Sequence, residues 1–290
     1  MQPADLPKLP RRQLTTSKRD YGRVVIVGGA AGMAGAPALA AMAALRSGAG
    51  LVELIVPEPV AAIVAGFDPC VMTRGLPAQN DGTFARAALK GIEARTASAD
   101  AVAVGPGIGR SDAVLKIVWH LWRHLPQTAV FDADALWALA ASDRGTLATH
   151  AGPRILTPHA GEMLRLLGAD PSSANADGRL QLERAAADLA GAIDAVIVLK
   201  GSATLIVDRT RQTHNNTGNP GMATAGTGDV LTGVTAALVA QRLSLFDAAR
   251  LAAWVHGRAG DAAAESSGEI SMTARDLIDH LHVAFREATA

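Results

Sequence analysis

The sequence predicts an α/β fold, a three-layer αβα sandwich around a mostly parallel central sheet. Three observations lead there: short β-type runs alternate with helical stretches, several of those runs are apolar throughout, and glycines and carboxylates recur where the runs end. Unbroken apolarity marks strands covered on both faces, as in a parallel sheet. Ligands of such sheets lie beyond the carboxyl ends of the strands, so each strand exit is a candidate site wall.

Strands are expected at 24–27, 51–56, 101–104, 129–131, 154–156, 195–199 and 204–207. Between them lie helical stretches at 37–47, 113–124, 135–142 and 162–167, the last closed by Gly168. Two longer helices follow at 230–241 and 245–264, and a final one begins near Thr273. The stretch from Val24 to Leu45 holds no charge, yet Gly28, Gly29, Gly32, Gly35 and Pro37 make it a strand, a glycine loop and a buried alanine-rich helix rather than a membrane span. Residues 1–20 contain Lys8, Arg11, Arg12, Lys18 and Arg19 with no apolar stretch before them. That pattern is a solvated arm, not a secretory signal. No linker or repeat divides 21–290, which reads as one domain of a soluble, cytoplasmic protein.

The chain has 290 residues, enough to bury a core without staples, and its lone Cys70 belongs to no internal disulfide. Lys+Arg and Asp+Glu both total 27, a balance that argues against nucleic-acid and membrane-surface partners. Disordered, collagenous and disulfide-knot classes are excluded.

The exits differ in what they present. Residues 28–36 form a glycine-rich loop, but the acidic residue a dinucleotide fold wants at the end of its second strand is missing, since Glu53 falls mid-strand. Tight strand–helix packing explains most of that loop, with room for a ligand near Gly35 and Ala36. The turn 104–109, with Gly105, Pro106, Gly107 and Gly109, presents backbone to a ligand or is purely conformational. Asp132 and Asp134 follow the fourth predicted strand, where Asp132 is either an N-cap or a contact to a metal-bound water or a ligand hydroxyl. In Thr157-Pro158-His159-Ala160-Gly161-Glu162, the macrodipole accounts for Glu162, whereas His159 faces the cleft with an ordinary affinity suited to proton or phosphate handling. The segment Ala225-Gly226-Thr227-Gly228-Asp229 is the most specific. Its glycines let successive N–H groups line one concavity at the start of a helix, an anion hole for a transferring phosphoryl group. Asp229 in the first turn is placed to accept a proton from an acceptor hydroxyl. No Lys-Ser/Thr pair follows, so this is not a Walker loop.

Together these motifs resemble the ADP-dependent NAD(P)H-hydrate dehydratases of the ribokinase-like superfamily. The likeness rests on residues 216–233, on Gly-Ala-Pro at 35–37, Gly-Pro-Gly at 105–107, Asp-Ala-Asp-Ala-Leu at 132–136, Thr-Pro-His-Ala-Gly-Glu at 157–162 and Lys-Gly-Ser-Ala-Thr at 200–204. It implies a ribokinase-like sandwich and a repair activity, the return of the S epimer of C6-hydroxylated NADH or NADPH to NAD(P)H. ADP would be the phosphoryl donor and AMP and phosphate the by-products. The resemblance assigns Ala36, Gly107, His159 and Asp229 to the hydrated dinucleotide, and Lys200, Gly201, Ser202, Ala203, Thr204 and Gly228 to ADP. Asp229 would be the base, with the backbone of Gly226 and Gly228 holding the phosphoryl group. Mg²⁺ would have its waters held by Glu162 and Asp132. A homo-oligomer is implied, together with an epimerase on a separate chain. Scarce aromatics, 3% of residues, lead us to expect nicotinamide and adenine held by main chain and small side chains. An ATP-dependent kinase of a small vitamin precursor would use the same Gly-Thr-Gly-Asp chemistry, and a non-catalytic nucleotide sensor would keep the fold without needing Asp229, the glycines and Glu162 together.

Overall fold

A computed structural model describes residues 3, 5–141, 144–173 and 178–289. The elements run β1 (Arg23–Val27), α1 (Gly35–Arg46), β2 (Leu51–Pro57), α2 (Glu58–Ala65), β3 (Met72–Leu76), α3 (Ala88–Thr96), β4 (Ala101–Val104), α4 (Asp112–His124), β5 (Thr128–Phe131), α5 (Asp134–Ala140), α6 (Arg144–Leu147) and β6 (Arg154–Leu156). Then come α7 (Ala160–Leu166), α8 (Arg179–Ile193), β7 (Val196–Leu199), β8 (Thr204–Val207), β9 (Gln212–Asn215), α9 (Thr227–Ala240), α10 (Leu245–Ser267) and α11 (Ala274–Ala288). Ser142, the expected end of the helix at 135–142, lies outside the described residues.

The strands form one sheet in the order β3-β2-β1-β4-β5-β6-β7-β8-β9. It is parallel from β3 to β7, and β8 and β9 add an antiparallel hairpin. Side chains alternate across it. Val24, Ile26, Ala101 and Ala103 point into one core with α1, α2, α9, α10 and α11, while Val25, Val27, Val102 and Val104 point into another with α3, α4, α5, α7 and α8. Both faces are therefore dry, which explains the unbroken apolar runs.

The expected sandwich is present, and the seven expected strands are its seven interior strands. Two edge strands, β3 and β9, were not anticipated: Met-Thr-Arg-Gly-Leu and Gln-Thr-His-Asn are only half-covered and show no apolar run. The solvated arm needs correction. Leu6 and Leu9 are buried, Leu9 bridges to Thr289 beyond α11, and the Arg12 guanidinium stacks on Tyr21 while donating to the Gly48 carbonyl. Among the described residues no helix is long and apolar enough to cross a membrane.

β1 and β4 are neighbours whose connections leave in opposite directions, β1 toward β2 and β4 toward β5. This is the topological switch point, where an open α/β sheet leaves a crevice at its carboxyl edge. Helix α9 runs beneath it, buried along most of its length, and crosses α1 through small residues. A methyl group on Gly233 would lie 2.0 Å from the Ala40 carbonyl oxygen, so the two backbones are in contact there.

Candidate active site

The loops after β1 and β4 meet at the switch point. Gly28 has no room for a side chain, because one would lie 2.3 Å from the Pro106 carbonyl oxygen. Gly107 is left-handed, φ 59°, and a methyl there would sit 3.2 Å from Cβ of Ala36. The structure thus brings together Ala36 and Gly107. Glu53 is buried mid-strand against Arg23 and Arg95, so it is spent on an internal ion pair rather than on a ribose.

After β5 the chain does not use Asp132 as a cap. The capping position is Ala133, held left-handed at φ 50°, and a side chain on Gly105 would lie 1.9 Å from the Asp132 carbonyl oxygen. This tight turn frees the Asp132 side chain to point along the sheet edge, at 2% exposure. Its Oδ1 accepts from Lys200 Nζ at 2.9 Å and its Oδ2 from the Thr232 hydroxyl at 2.6 Å. Asp134 instead accepts from the Gly109 N–H and the Arg110 Nε, tying the β4 exit to α5.

His159 opens α7 as its N-cap. Nδ1 accepts from the N–H groups of Gly161 and Glu162 at 3.0 and 3.3 Å, and the Glu162 carboxylate accepts from the His159 N–H. The proton of the neutral ring therefore sits on Nε2. Burial and then the Lys200 charge hold its affinity for a second proton below the ordinary value. The side chain is 59% exposed, with Nε2 3.5 Å from Glu162 Oε1, and is a neutral donor rather than a residue titrating at its usual pH.

Lys200 directly follows β7 and lies between Asp132 and Glu162, whose Oε2 is 3.7 Å away. Burial alone would lower the Lys200 pKa, but Asp132 and Glu162 outweigh it and the ammonium is held above its usual value. Glu162 is raised by burial, against the pull of Lys200. The turn Gly201–Thr204 leads into β8, with Gly201 and Ser202 exposed and Ala203 and Thr204 half-buried. It is braced from behind by Arg179, which donates to the carbonyls of Leu199, Lys200 and Ala203 and pairs through Nε with Glu183. His214 of β9 holds the other Glu183 oxygen at 3.0 Å.

The N-terminus of α9 completes the arrangement. Gly226 caps it at φ 90°, and a side chain there would lie 2.5 Å from Cδ1 of Leu39 on α1. A methyl on Gly228 would be 3.4 Å from Lys200 Nζ and 4.0 Å from Asp132 Oδ2, so this backbone faces the same charges. Asp229, one residue on, is pushed up to about 7 by burial first and the Asp132 charge second, with Lys200 opposing. A carboxyl poised near neutrality beside a fixed cation and a helix N-terminus can exchange a proton with a bound hydroxyl.

Sequence reasoning missed Arg179, Thr232 and His256. The last, on α10, donates from Nε2 to the Thr227 carbonyl at 2.8 Å, and burial pushes it down to about 4. Two grooves, of about 640 and 340 Å³, lie elsewhere: one is lined by His150, Asp194 and Asp208 at the opposite end of the sheet, the other by Glu93, His120 and His124. Neither is lined by a residue of the charged cluster.

Residues 24–282 match the sequence profile of a family described as NAD(P)H-hydrate dehydratase. A bifunctional NAD(P)H-hydrate repair enzyme of Moorella thermoacetica is 46% identical over 280 residues, which are 96% of this chain and 52% of that protein. The chain thus spans about half the length of the curated relatives it matches. An ADP/ATP-dependent NAD(P)H-hydrate dehydratase from Bacillus subtilis, co-crystallized with ATP and Mg²⁺, superposes with a TM-score of 0.80 at 26% identity, covering 98% of this chain and 99% of that one. A ribokinase-like superfamily protein of Enterococcus faecalis superposes at 0.78 with 25% identity over 97% and 93% of the two chains. The fold class and the motif resemblance therefore agree with a match over nearly the whole chain, which belongs to the NAD(P)H-hydrate dehydratase family.

Proposed function

We propose that this chain dehydrates the S epimer of C6-hydroxylated NADH or NADPH at the expense of ADP, returning the working cofactor. The observation that supports this most directly is the cluster of Lys200, Asp132, Glu162 and Asp229 around the glycine-built start of α9, in a member of this family. In this reading, Ala36, Gly107 and the Nε2–H of His159 position the hydrated dinucleotide. Lys200 and the turn of Gly201, Ser202, Ala203 and Thr204, with Gly228, hold ADP.

Asp229 takes the proton of the C6 hydroxyl as its oxygen forms a bond to the β-phosphorus and the bond to AMP breaks. The N–H groups of Gly226 and Gly228 and the helix dipole stabilise the charge on the moving phosphoryl oxygens. The C6–O bond of the phosphorylated intermediate then breaks with an electron pair from the ring nitrogen behind it. Phosphate departs, a proton leaves the neighbouring ring carbon, and the double bond is restored.

The residues also fit Mg²⁺, though only through water. Among the described residues no three carboxylate, imidazole or thiol groups converge on one point, and both Asp132 oxygens already accept hydrogen bonds. A magnesium ion that keeps most of its water and binds nucleotide phosphates needs only such an outer shell, supplied by Glu162 and Asp132. When bound, it neutralises phosphate charge.

The motif resemblance extends the proposal to a homo-oligomer acting in the cytoplasm beside an epimerase on a separate chain that supplies the S form. The test is to incubate the protein with NADH hydrate, Mg²⁺ and ADP and to follow the return of NADH absorbance with release of AMP and phosphate. No recovery with either ADP or ATP would overturn the reading. A stable phosphorylated product would assign a kinase instead.

A further inference from the structure

We propose that His256 is a positioning residue for the same reaction: by donating to the Thr227 carbonyl it polarises the peptide unit whose other end is the Gly228 N–H, and so strengthens that N–H as a donor to the transferring phosphoryl group. The proposal rests on reading the start of α9 as the phosphoryl site.

The carbonyl of Thr227 and the N–H of Gly228 belong to one amide. A carbonyl can only accept, so the 2.8 Å contact fixes the proton on His256 Nε2. Donation to an amide oxygen draws electron density from its nitrogen, and hydrogen bonds chained through a peptide reinforce one another by about 10–30% each in a low-dielectric setting. Gly228 is the residue whose missing side chain opens the backbone toward Lys200 and Asp132, so the strengthened N–H belongs to the residue facing the charged cluster.

The surface of α10 is shaped to deliver this contact. Next to His256, a methyl on Gly257 would lie 2.2 Å from Thr217 Oγ1, and one on Gly260 would lie 2.3 Å from Met222 Sδ. Asp261, one residue further, accepts from the Gly218 N–H at 3.2 Å and from Asn219 Nδ2 at 3.3 Å. One helix face therefore grips the 217–228 segment at both ends, with glycines where the loop must come close and donors or acceptors where it must be held. Burial keeps the imidazole neutral, with its pKa pushed down to about 4. It thus adds a dipole to the site without a second cation beside Lys200.

The test compares His256→Phe, which fills the ring volume without a donor, with His256→Gln, whose side-chain N–H reaches as far as Nε2. Deleting one donor of an oxyanion site costs about a hundredfold or more, so weakening one through its peptide partner should cost less, about tenfold in kcat. With NADH hydrate, ADP and Mg²⁺, His256→Phe is expected to lose about tenfold in kcat with both KM values within about threefold, and His256→Gln to regain most of it. In glycine-labelled protein, the Gly228 amide proton, assigned by its loss in Gly228→Ala, should move upfield in His256→Phe and return in His256→Gln. An unmoved Gly228 resonance would overturn the proposal, as would equal losses in the two variants or a loss confined to KM. If the wild type fails to regenerate NADH, the functional reading falls while the resonance shift still reports on the polarised amide.

Discussion

Asp229 should make this protein less stable than it could be. Its carboxyl is displaced from an ordinary 3.8 to about 7, burial being the main cause. The folded state therefore holds a proton that the unfolded chain has already lost. Stability falls as pH rises from about 4 to about 7 and levels off above, because the folded carboxyl is then ionised too. Three units at about 1.4 kcal/mol each set a ceiling of roughly 4 kcal/mol. Partial exposure and the nearby Lys200 lead us to expect about half of that in practice. The isosteric Asp229→Asn removes the charge, so it should raise Tm by about 4 °C at pH 8, at roughly 2 °C per kcal/mol for a chain of this size. The same variant should lose turnover by a hundredfold or more while binding ADP within about threefold of wild type. Thermal melts of both proteins at pH 5, 6, 7 and 8, with calorimetric ADP titration, provide the assay. A Tm gap that is absent, or that narrows as pH rises, would refute the burial argument, and near-normal turnover would refute the assignment of the base.

Three further outcomes follow from the geometry. Lys200→Met leaves Asp132 and Glu162 without their shared cation and should cost about 2–3 kcal/mol in thermal melts at pH 8, with the KM for ADP rising at least tenfold. Arg154 is wholly buried and has no carboxylate partner among the described residues. It donates to the carbonyls of Trp122 and Leu125 at the end of α4 and to that of Gln127, and burial pulls its pKa down to about 10, so it stays charged. Arg154→Ala should therefore cost about 3–5 kcal/mol in urea unfolding, and a loss under about 1 kcal/mol would contradict its role. Arg179→Ala frees the 199–203 turn and should raise the KM for nucleotide about tenfold with little change in Tm or in the KM for the hydrated dinucleotide.

What the amino-acid order revealed and what it hid have physical causes. The strands buried on both faces announce themselves because each of their residues must be apolar, and α9 and the exits around it because anion holes need glycine at fixed spacing. Edge strands β3 and β9 satisfy only one neighbour and can afford Arg74 or His214 in mid-strand. Leu6 and Leu9 dock on the core singly, without a period to read, inside a segment dominated by basic residues. Asp132 sits where a cap is expected, and the left-handed turn at Ala133 that releases it is a property of the close approach of Gly105, not of any local pattern. His159 reads as a titrating group until its Nδ1 is seen to be occupied by two N–H groups. Arg179 and His256 are invisible for another reason: each acts on a backbone carbonyl far along the chain, and nothing in the flanking residues records the partner.

The crossing of α1 and α9 has a consequence for how this protein tolerates change. Of α1, Ala38, Ala40, Ala41, Ala43 and Ala44 are buried, and Ala40 and Ala43 lie directly against Gly233 of α9. Most cores lose stability both when side chains are trimmed and when they are enlarged. Here there is almost nothing to trim and nowhere to grow, so a single added methyl must prise two main chains apart. Random substitution in this region should show an inverted sensitivity, with changes to serine or glycine mild and changes to valine or leucine severe. Stabilising this crossing by filling it is closed off, so added strength has to come from elsewhere in the fold.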